Sequence, residues 1–183
     1  MENQRVRLSK MLLQSSLTKL MAEKRIHKIS VREICDLAEI NRTTFYKYYG
    51  SQYDLLKDME NEVLSQVDAY LNTDKKEGGF NIDALVQIAT YIQDNLDLCR
   101  LLINNTVDTE FPEKLFNLSM IRRLLDEHLA DQYPESEIDY AYQFVVNGGF
   151  SIMKIWINKE TRETPEKIAN TLVNIIYRLF KTQ

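Results

Sequence analysis

Apolar residues recur along this chain at helical spacing, and no segment sustains the period-2 alternation of a half-buried strand. Over residues 5–23 the spacing predicts a helix with Val6, Met11, Leu12, Leu13, Leu17 and Leu20 on one side. The pattern breaks at Arg25-Ile26-His27-Lys28-Ile29. Ser30-Val31-Arg32-Glu33 then spells a capping box, in which the serine hydroxyl accepts from the backbone N–H three residues on and the glutamate reaches back. Ile34, Leu37 and Ala38 give this short second helix its expected apolar face. Asn41 is a good N-cap for a third short helix over 42–49, and Gly50 is the expected stop. Ser51-Gln52-Tyr53-Asp54 is a second capping-box-like string. It opens a long fourth helix through Leu55, Leu56, Met59, Val63, Leu64 and Val67, ending near Leu71.

Thr73–Phe80, polar with paired glycines, is the clearest loop. Beyond it, apolar-periodic stretches lie near 82–94, 97–106, 111–132, 136–158 and 165–181. Pro112, Pro134 and Pro165 fall near the starts of the last three, where the first helical turn tolerates proline. With only five Gly and three Pro in 183 residues, a turn-rich sandwich or barrel is disfavoured. The pattern predicts an all-α chain of about nine helices, with a three-helix part at 1–50 and a larger helical part at 51–183.

Composition narrows the chemistry. No GxGxxG or GxxxxGK[ST] string occurs, so no phosphate-cradling glycine loop is expected. Cys35 and Cys99 are far apart and make no CxxC, which predicts two small buried hydrophobes in a reducing compartment. His27 and His128 are isolated, and no HExxH occurs. We therefore expect no metal, no cofactor and no enzymatic activity, since no nucleophile–base pair stands out. The polar first residues carry no signal-peptide pattern, and no apolar run approaches the ~20 residues that span a bilayer. A soluble, cytoplasmic protein without membrane contact is expected.

Net charge alone misleads. It is only -4, with 23 Lys plus Arg against 27 Asp plus Glu. Residues 1–50, however, hold ten of the basic residues and five of the acids, a surplus of +5 that leaves -9 on residues 51–183. A basic N-terminal part on an acidic remainder points to one end meeting a polyanion.

Residues 30–49 have the dimensions of a helix-turn-helix, whose second helix lies in a DNA major groove. The third helix sorts by face. Phe45 and Tyr49, four apart, point back at the first two helices, whereas Arg42, Thr43, Tyr46 and Lys47 project the other way. An arginine near a helix start suits bidentate hydrogen bonding to guanine, and threonine can touch a thymine methyl. Tyrosine hydroxyls, the lysine and the Ser51 cap are suitable phosphate partners, which fix register without reading sequence.

Ser30–Leu56 (SVREICDLAEINRTTFYKYYGSQYDLL) resembles the DNA-binding signature of the TetR/AcrR transcriptional regulators. That signature runs roughly T-hydrophobic-R-x-hydrophobic-A, a turn, then T-hydrophobic-Y-x-[HY]-F-x-[SN]-K-x-x-L. Arg32, Thr44, Phe45, Tyr46, Tyr48, Ser51 and Leu55 match it. The resemblance implies that Arg42 and Thr43 face base edges, that Thr44 lies near the sugar-phosphate boundary, and that Arg32, Tyr46, Lys47 and Tyr48 touch the backbone. Three positions depart from the pattern. Glu39 stands where the turn usually has Gly, so a residue with φ > 0 would be strained there. Tyr49 replaces Phe, bringing a hydroxyl that needs a partner. Gln52 replaces Lys, removing one phosphate contact and lowering the salt dependence of binding by about one counterion.

In the C-terminal part, Gly148-Gly149 interrupts the apolar stretch 136–158. Two mid-helix glycines, each costing roughly 0.8–1 kcal/mol against Ala, usually have a packing reason such as close approach of another helix. Family resemblance implies that the last two helices pair with a second copy, through Gly148, Gly149, Ile152, Trp156, Leu172, Ile175, Ile176 and Leu179. Packing inside the chain is the other reading of the same residues. The resemblance also implies a small-molecule pocket lined by Tyr91, Phe116, Tyr142 and Phe150, among a region that includes Met120. The expected function is a homodimeric regulator that binds palindromic operator DNA and represses until an effector binds. The alternative is a coactivator of the same fold acting through protein partners.

Overall fold

The structure, a computed structural model, describes residues 4–72, 82–105, 110–116 and 133–179. Four expected features lie outside them: the Thr73–Phe80 loop, the stretch 117–132 with Met120 and His128, Phe180, and the side chains of Phe116 and Leu179. The described residues are helical or irregular, with no strand among them. The chain divides into two compact units, Met1–Val63 with Asn105–Thr109, and Leu64–Asn104 with Glu110–Gln183.

In the first unit, α1 spans Gln4–Glu23, a 3-10 turn Ile26–Lys28, α2 Val31–Ala38 and α3 Arg42–Phe45. α4, Gln52–Asn72, begins in the first unit. α1 buries Leu13, Ser16, Leu17 and Met21, while Met11 and Leu12 are exposed, contrary to the expected face. At about 100° per residue Met11 points nearly opposite to Leu13, and Leu12 a quarter-turn away. Val6 and Leu20, seven positions either side of Leu13, do share its face and are half-buried. Gln14 Nε2 donates to Glu62 Oε2 at 2.9 Å, tying α1 to α4. The broken pattern after α1 becomes the 3-10 turn, anchored by buried Ile26 and Ile29.

α2 begins with both arms of its capping box: Glu33 N donates to Ser30 Oγ at 3.2 Å, and Ser30 N to Glu33 Oε2 at 2.8 Å. Its buried face is Ile34, Cys35 and Ala38. Leu37, expected inside, is exposed, and the smaller Cys35 occupies the interior instead. α4 buries every apolar residue its spacing predicted: Leu55, Leu56, Met59, Val63, Leu64 and Val67.

The second unit contains α5 (Ile82–Asp94), α6 (Leu96–Asn104), α7 (Phe111–Phe116), α8 (Glu135–Asn158) and α9 (Pro165–Leu179). α9 packs most extensively on α5, and α6 on α8. Pro165 sits at the first helical position, and Thr164 Oγ1 caps the turn by accepting from Lys167 N at 3.3 Å. The end of α8 is held by side chains of α6. Arg100 Nε donates to Ile157 O at 2.8 Å, and the Asn104 and Asn158 amides exchange hydrogen bonds of 3.0 and 3.1 Å. Trp156 fills the interior at 1% exposure, its Nε1 donating to Glu163 O at 2.9 Å. That bond satisfies the one polar group the indole buries. Cys99 is buried in apolar surroundings, which push its thiol up to about 12.

Candidate nucleic-acid interface

The segment after α2 is built by three local devices. α2 ends in a Schellman turn: Ile40 N donates to Cys35 O at 3.0 Å and Glu39 N to Asp36 O at 3.4 Å. Glu39 takes the left-handed conformation this requires, φ 54° and ψ 36°, at the position where strain was expected. It is the one non-glycine residue with positive φ among those described. Asn41 then caps the next helix, its Oδ1 accepting from Thr43 N at 2.8 Å. The helix itself is shorter than the expected 42–49. α-Helical geometry covers Arg42–Phe45, and the chain then tightens to bonds three residues apart, Lys47 N to Thr44 O at 3.3 Å and Tyr48 N to Phe45 O at 2.9 Å. Such tightening is common in a last turn, where carbonyls lack regular partners. The segment 42–48 is thus one continuous coil of helix and turn.

Gly50 ends the segment differently from the expected left-handed stop. Its φ lies outside the left-handed region, and a Cβ there would meet Asp54 Oδ2 at 2.9 Å. Asp54 accepts from Gly50 N at 3.0 Å, while Ser51 Oγ accepts from Asp54 N at 3.3 Å. The capping carboxylate approaches this position so closely that a Cβ here would make the Asp54 side chain shift.

Faces sort as the spacing predicted. Phe45 is fully buried and Tyr49 nearly so, with ring centroids 5.6 Å apart. Tyr46 meets Phe45 edge-on at 5.5 Å and Tyr48 meets Tyr49 at 6.4 Å, so buried rings brace the two outer ones. The Tyr49 hydroxyl donates to Asp58 Oδ2 at 2.7 Å. The sequence held no signal for this partner, which lies nine residues on and is brought near only by the approach of α4. Arg42, Thr43, Tyr46 and Lys47 are exposed, and Thr44 and Tyr48 half-buried beside them. This surface offers a guanidinium, an ammonium, two threonine and two tyrosine side chains, a set able to hydrogen-bond phosphates and base edges.

Arg32 is also exposed, on α2, and its Nε pairs with Asp36 Oδ2 at 3.4 Å. The i,i+4 spacing was a signal for this pair that residue-by-residue reading passed over. At the start of the same helix, Glu33 is paired with Lys24. That ammonium, then the Ser30 N–H and hydroxyl, hold the Glu33 carboxyl down at about 2. Burial raises the Cys35 thiol; the Asp36 charge adds to the rise and Arg42 opposes it.

In the second unit the residues expected around a ligand lie on α5, α7 and α8. Tyr91 is half-buried with its ring 6.2 Å from that of Tyr70. Tyr142 is packed with Val145 and Val146 against Tyr133, Ile138, Ala141 and Ile176, and Phe150 is half-buried. Phe116 closes α7. The residues expected at an interface between copies differ in burial. Trp156 and Leu172 lie in the unit's own core; Ile152, Gly149 and Ile176 are half-buried; Gly148 and Ile175 are exposed; Leu179 ends α9. Beyond its chain neighbours and the backbone of α8 itself, a Cβ on Gly148 or Gly149 would meet nothing within 4 Å among the described residues. Three large exposed residues of α8 were missed: Tyr140 (78%), Phe144 (63%) and Ile155 (59%). With Gly148 and Ser151 they fall on one face at i, i+4, i+8, i+11 and i+15. The sequence shows that periodicity once the buried face of α8 is known.

Residues 16–59 match the family described as bacterial regulatory proteins, tetR family, and residues 81–178, more than half of the chain, match the transcriptional regulator C-terminal region. No match is found among curated proteins. Several solved structures are similar along nearly their whole length. A TetR transcriptional regulator from Streptococcus agalactiae is 22% identical with a TM-score of 0.61, over 94% of this chain and 95% of that one. The dihydroxyacetone kinase operon activator DhaS is 18% identical with a TM-score of 0.64, over 94% and 96%. A TetR-family regulator from Haemophilus influenzae is 17% identical with a TM-score of 0.57, over 98% and 100%. At these identities the likeness is one of fold.

Proposed function

The chain belongs to the TetR family of bacterial transcriptional regulators, and from that premise we propose that it is a ligand-responsive repressor, binding palindromic operator DNA as a homodimer in the cytoplasm. The observation that carries this reading is the exposed set Arg42, Thr43, Tyr46 and Lys47 on a capped segment whose opposite face, Phe45 and Tyr49, is locked into the core. Arg42 and Thr43 read base edges; Thr44, Arg32, Tyr46, Lys47 and Tyr48 hold the backbone. Residues 1–50 serve as the DNA-reading part and 51–183 as the effector and dimer part. One segment this short contacts few base pairs, so a two-fold pair reading half-sites about one helical turn apart supplies the missing contacts. The exposed face Tyr140–Phe144–Gly148–Ile155, together with exposed Ile175, supports α8 and α9 as the surface joining two copies. Among Tyr91, Phe116, Tyr142 and Phe150, the half-buried Tyr91 and Phe150 favour a site for a small effector. Effector binding lowers operator affinity only as far as it prefers the non-binding conformation.

Site selection from random duplex DNA followed by gel-shift titration tests the reading. Arg42→Ala is expected to cost ~1–3 kcal/mol and relax preference at one position of each half-site, and Lys47→Ala to weaken binding across sequences. Equal, sequence-independent losses from both would refute the role of Arg42. A second reading, an activator or coactivator working through protein partners, is favoured by the likeness to the operon activator DhaS and by Gln52 in place of a phosphate-binding lysine. It predicts no specific shift of upstream DNA at low salt by the folded protein alone.

A further inference from the structure

Asp36 is an acid set within the surface that the reading above gives to DNA. Glu33, on the same helix, is explained by its capping box and by Lys24. Asp36 has no such explanation. It stands in the last turn of α2, where a negative charge opposes the helix dipole. Its pair with Arg32 also runs in the less favourable order, with the cation N-terminal to the anion. Helix stability therefore does not account for it. What its carboxylate does is hold Arg32, at 3.4 Å from Nε, with the two side chains 71% and 68% exposed. Asp36 and Arg42 both act on the Cys35 thiol, in opposite senses, which puts the acid and a base-reading arginine within electrostatic reach of one buried residue.

We propose that Asp36 sets the operator affinity of this protein by competing with the DNA backbone for Arg32. The inference rests on the DNA-binding reading. An arriving phosphate must displace the carboxylate from the Nε edge of the guanidinium or accept a like charge beside it. Either way the contact is weaker than a free arginine would make, and complexes with all sequences are shorter-lived. The acid thus keeps a basic surface from saturating on non-specific DNA. Exposed ion pairs of this kind are modest, so removing the competitor is expected to tighten binding about 2- to 5-fold per half-site, and about 4- to 25-fold where a dimer fills two.

The test is a double-mutant cycle on the full chain: wild type, Asp36→Asn, Arg32→Ala and the two combined. The probes are a duplex selected from a random pool by the wild type and a mixed-sequence duplex, each titrated across a salt series. Asp36→Ala serves as a second variant, with thermal melts to show that all forms fold. The expected result is severalfold tighter binding by Asp36→Asn to both probes and a steeper salt dependence, by about one counterion per half-site. In the Arg32→Ala background the same substitution is expected to change little. Equal tightening in both backgrounds would show simple charge repulsion and overturn the proposal, as would no tightening in either. A folded wild type that binds neither duplex at low salt would overturn the DNA-binding reading, and this inference with it; that outcome is distinct from the other two.

Discussion

Replacing Glu39 by Gly removes the only side chain held at positive φ among the described residues while leaving the Schellman turn intact. A non-glycine residue in the left-handed region costs roughly 1–2 kcal/mol, through contact of Cβ with the following carbonyl. Glycine avoids that cost but gives up about 0.5–1 kcal/mol of unfolded-chain entropy. The exposed Glu39 side chain also places a negative charge at the C-terminal end of α2, worth a few tenths of a kcal/mol in the wrong direction. The net expectation is a gain of about 1 kcal/mol. In a melt followed by circular dichroism this is about 4–8 °C if the first unit unfolds alone, and about 2–4 °C if the whole chain melts together. Glu39→Ala is the control, because it removes the carboxylate and keeps the Cβ. The backbone term is the difference between the two variants, and Gly should exceed Ala by about 1 kcal/mol. Equal stability of the two, or a loss with Gly, would refute the argument that this turn stores backbone strain.

Three further outcomes follow from the same geometry. Because the Glu33 carboxyl is lowered from 4.5 to about 2, its contribution is fully present above about pH 4.5 and is lost as pH falls through 2. Glu33→Gln should flatten the acid limb of a stability–pH curve over that window, and parallel curves would rule this out. Tyr49→Phe should cost about 1 kcal/mol in urea unfolding by deleting the hydrogen bond to Asp58. In combination with Asp58→Ala its effect should be much less than additive, whereas strict additivity would mean the two groups act independently. Phe144→Lys, on the exposed face of α8, should shift the mass in light scattering from dimer to monomer with the thermal melt of the monomer unchanged. A wild type already monomeric at micromolar concentration would remove that face as an interface.

What sequence alone determined here is what neighbouring residues decide among themselves. The Ser30–Glu33 box and the Asn41 cap depend on groups within three residues of one another, so their signals survive without knowledge of the fold. The inward Phe45 and Tyr49 and the buried face of α4 follow from helical period, where one stripe is clearly the most apolar. Period fails where two stripes compete. α1 and α2 each offer alternatives, and only the neighbouring helices choose Leu13 over Met11, and Cys35 over Leu37. Tertiary approach alone brings Asp58 to the Tyr49 hydroxyl. Packing inside the second unit takes Trp156 into the core and leaves Phe144 and Ile155 outside, although all three are apolar residues of the same helix. Their chemistry is alike, so composition cannot separate them. The shape of what packs against each face does, and that shape is fixed by residues far away in the chain.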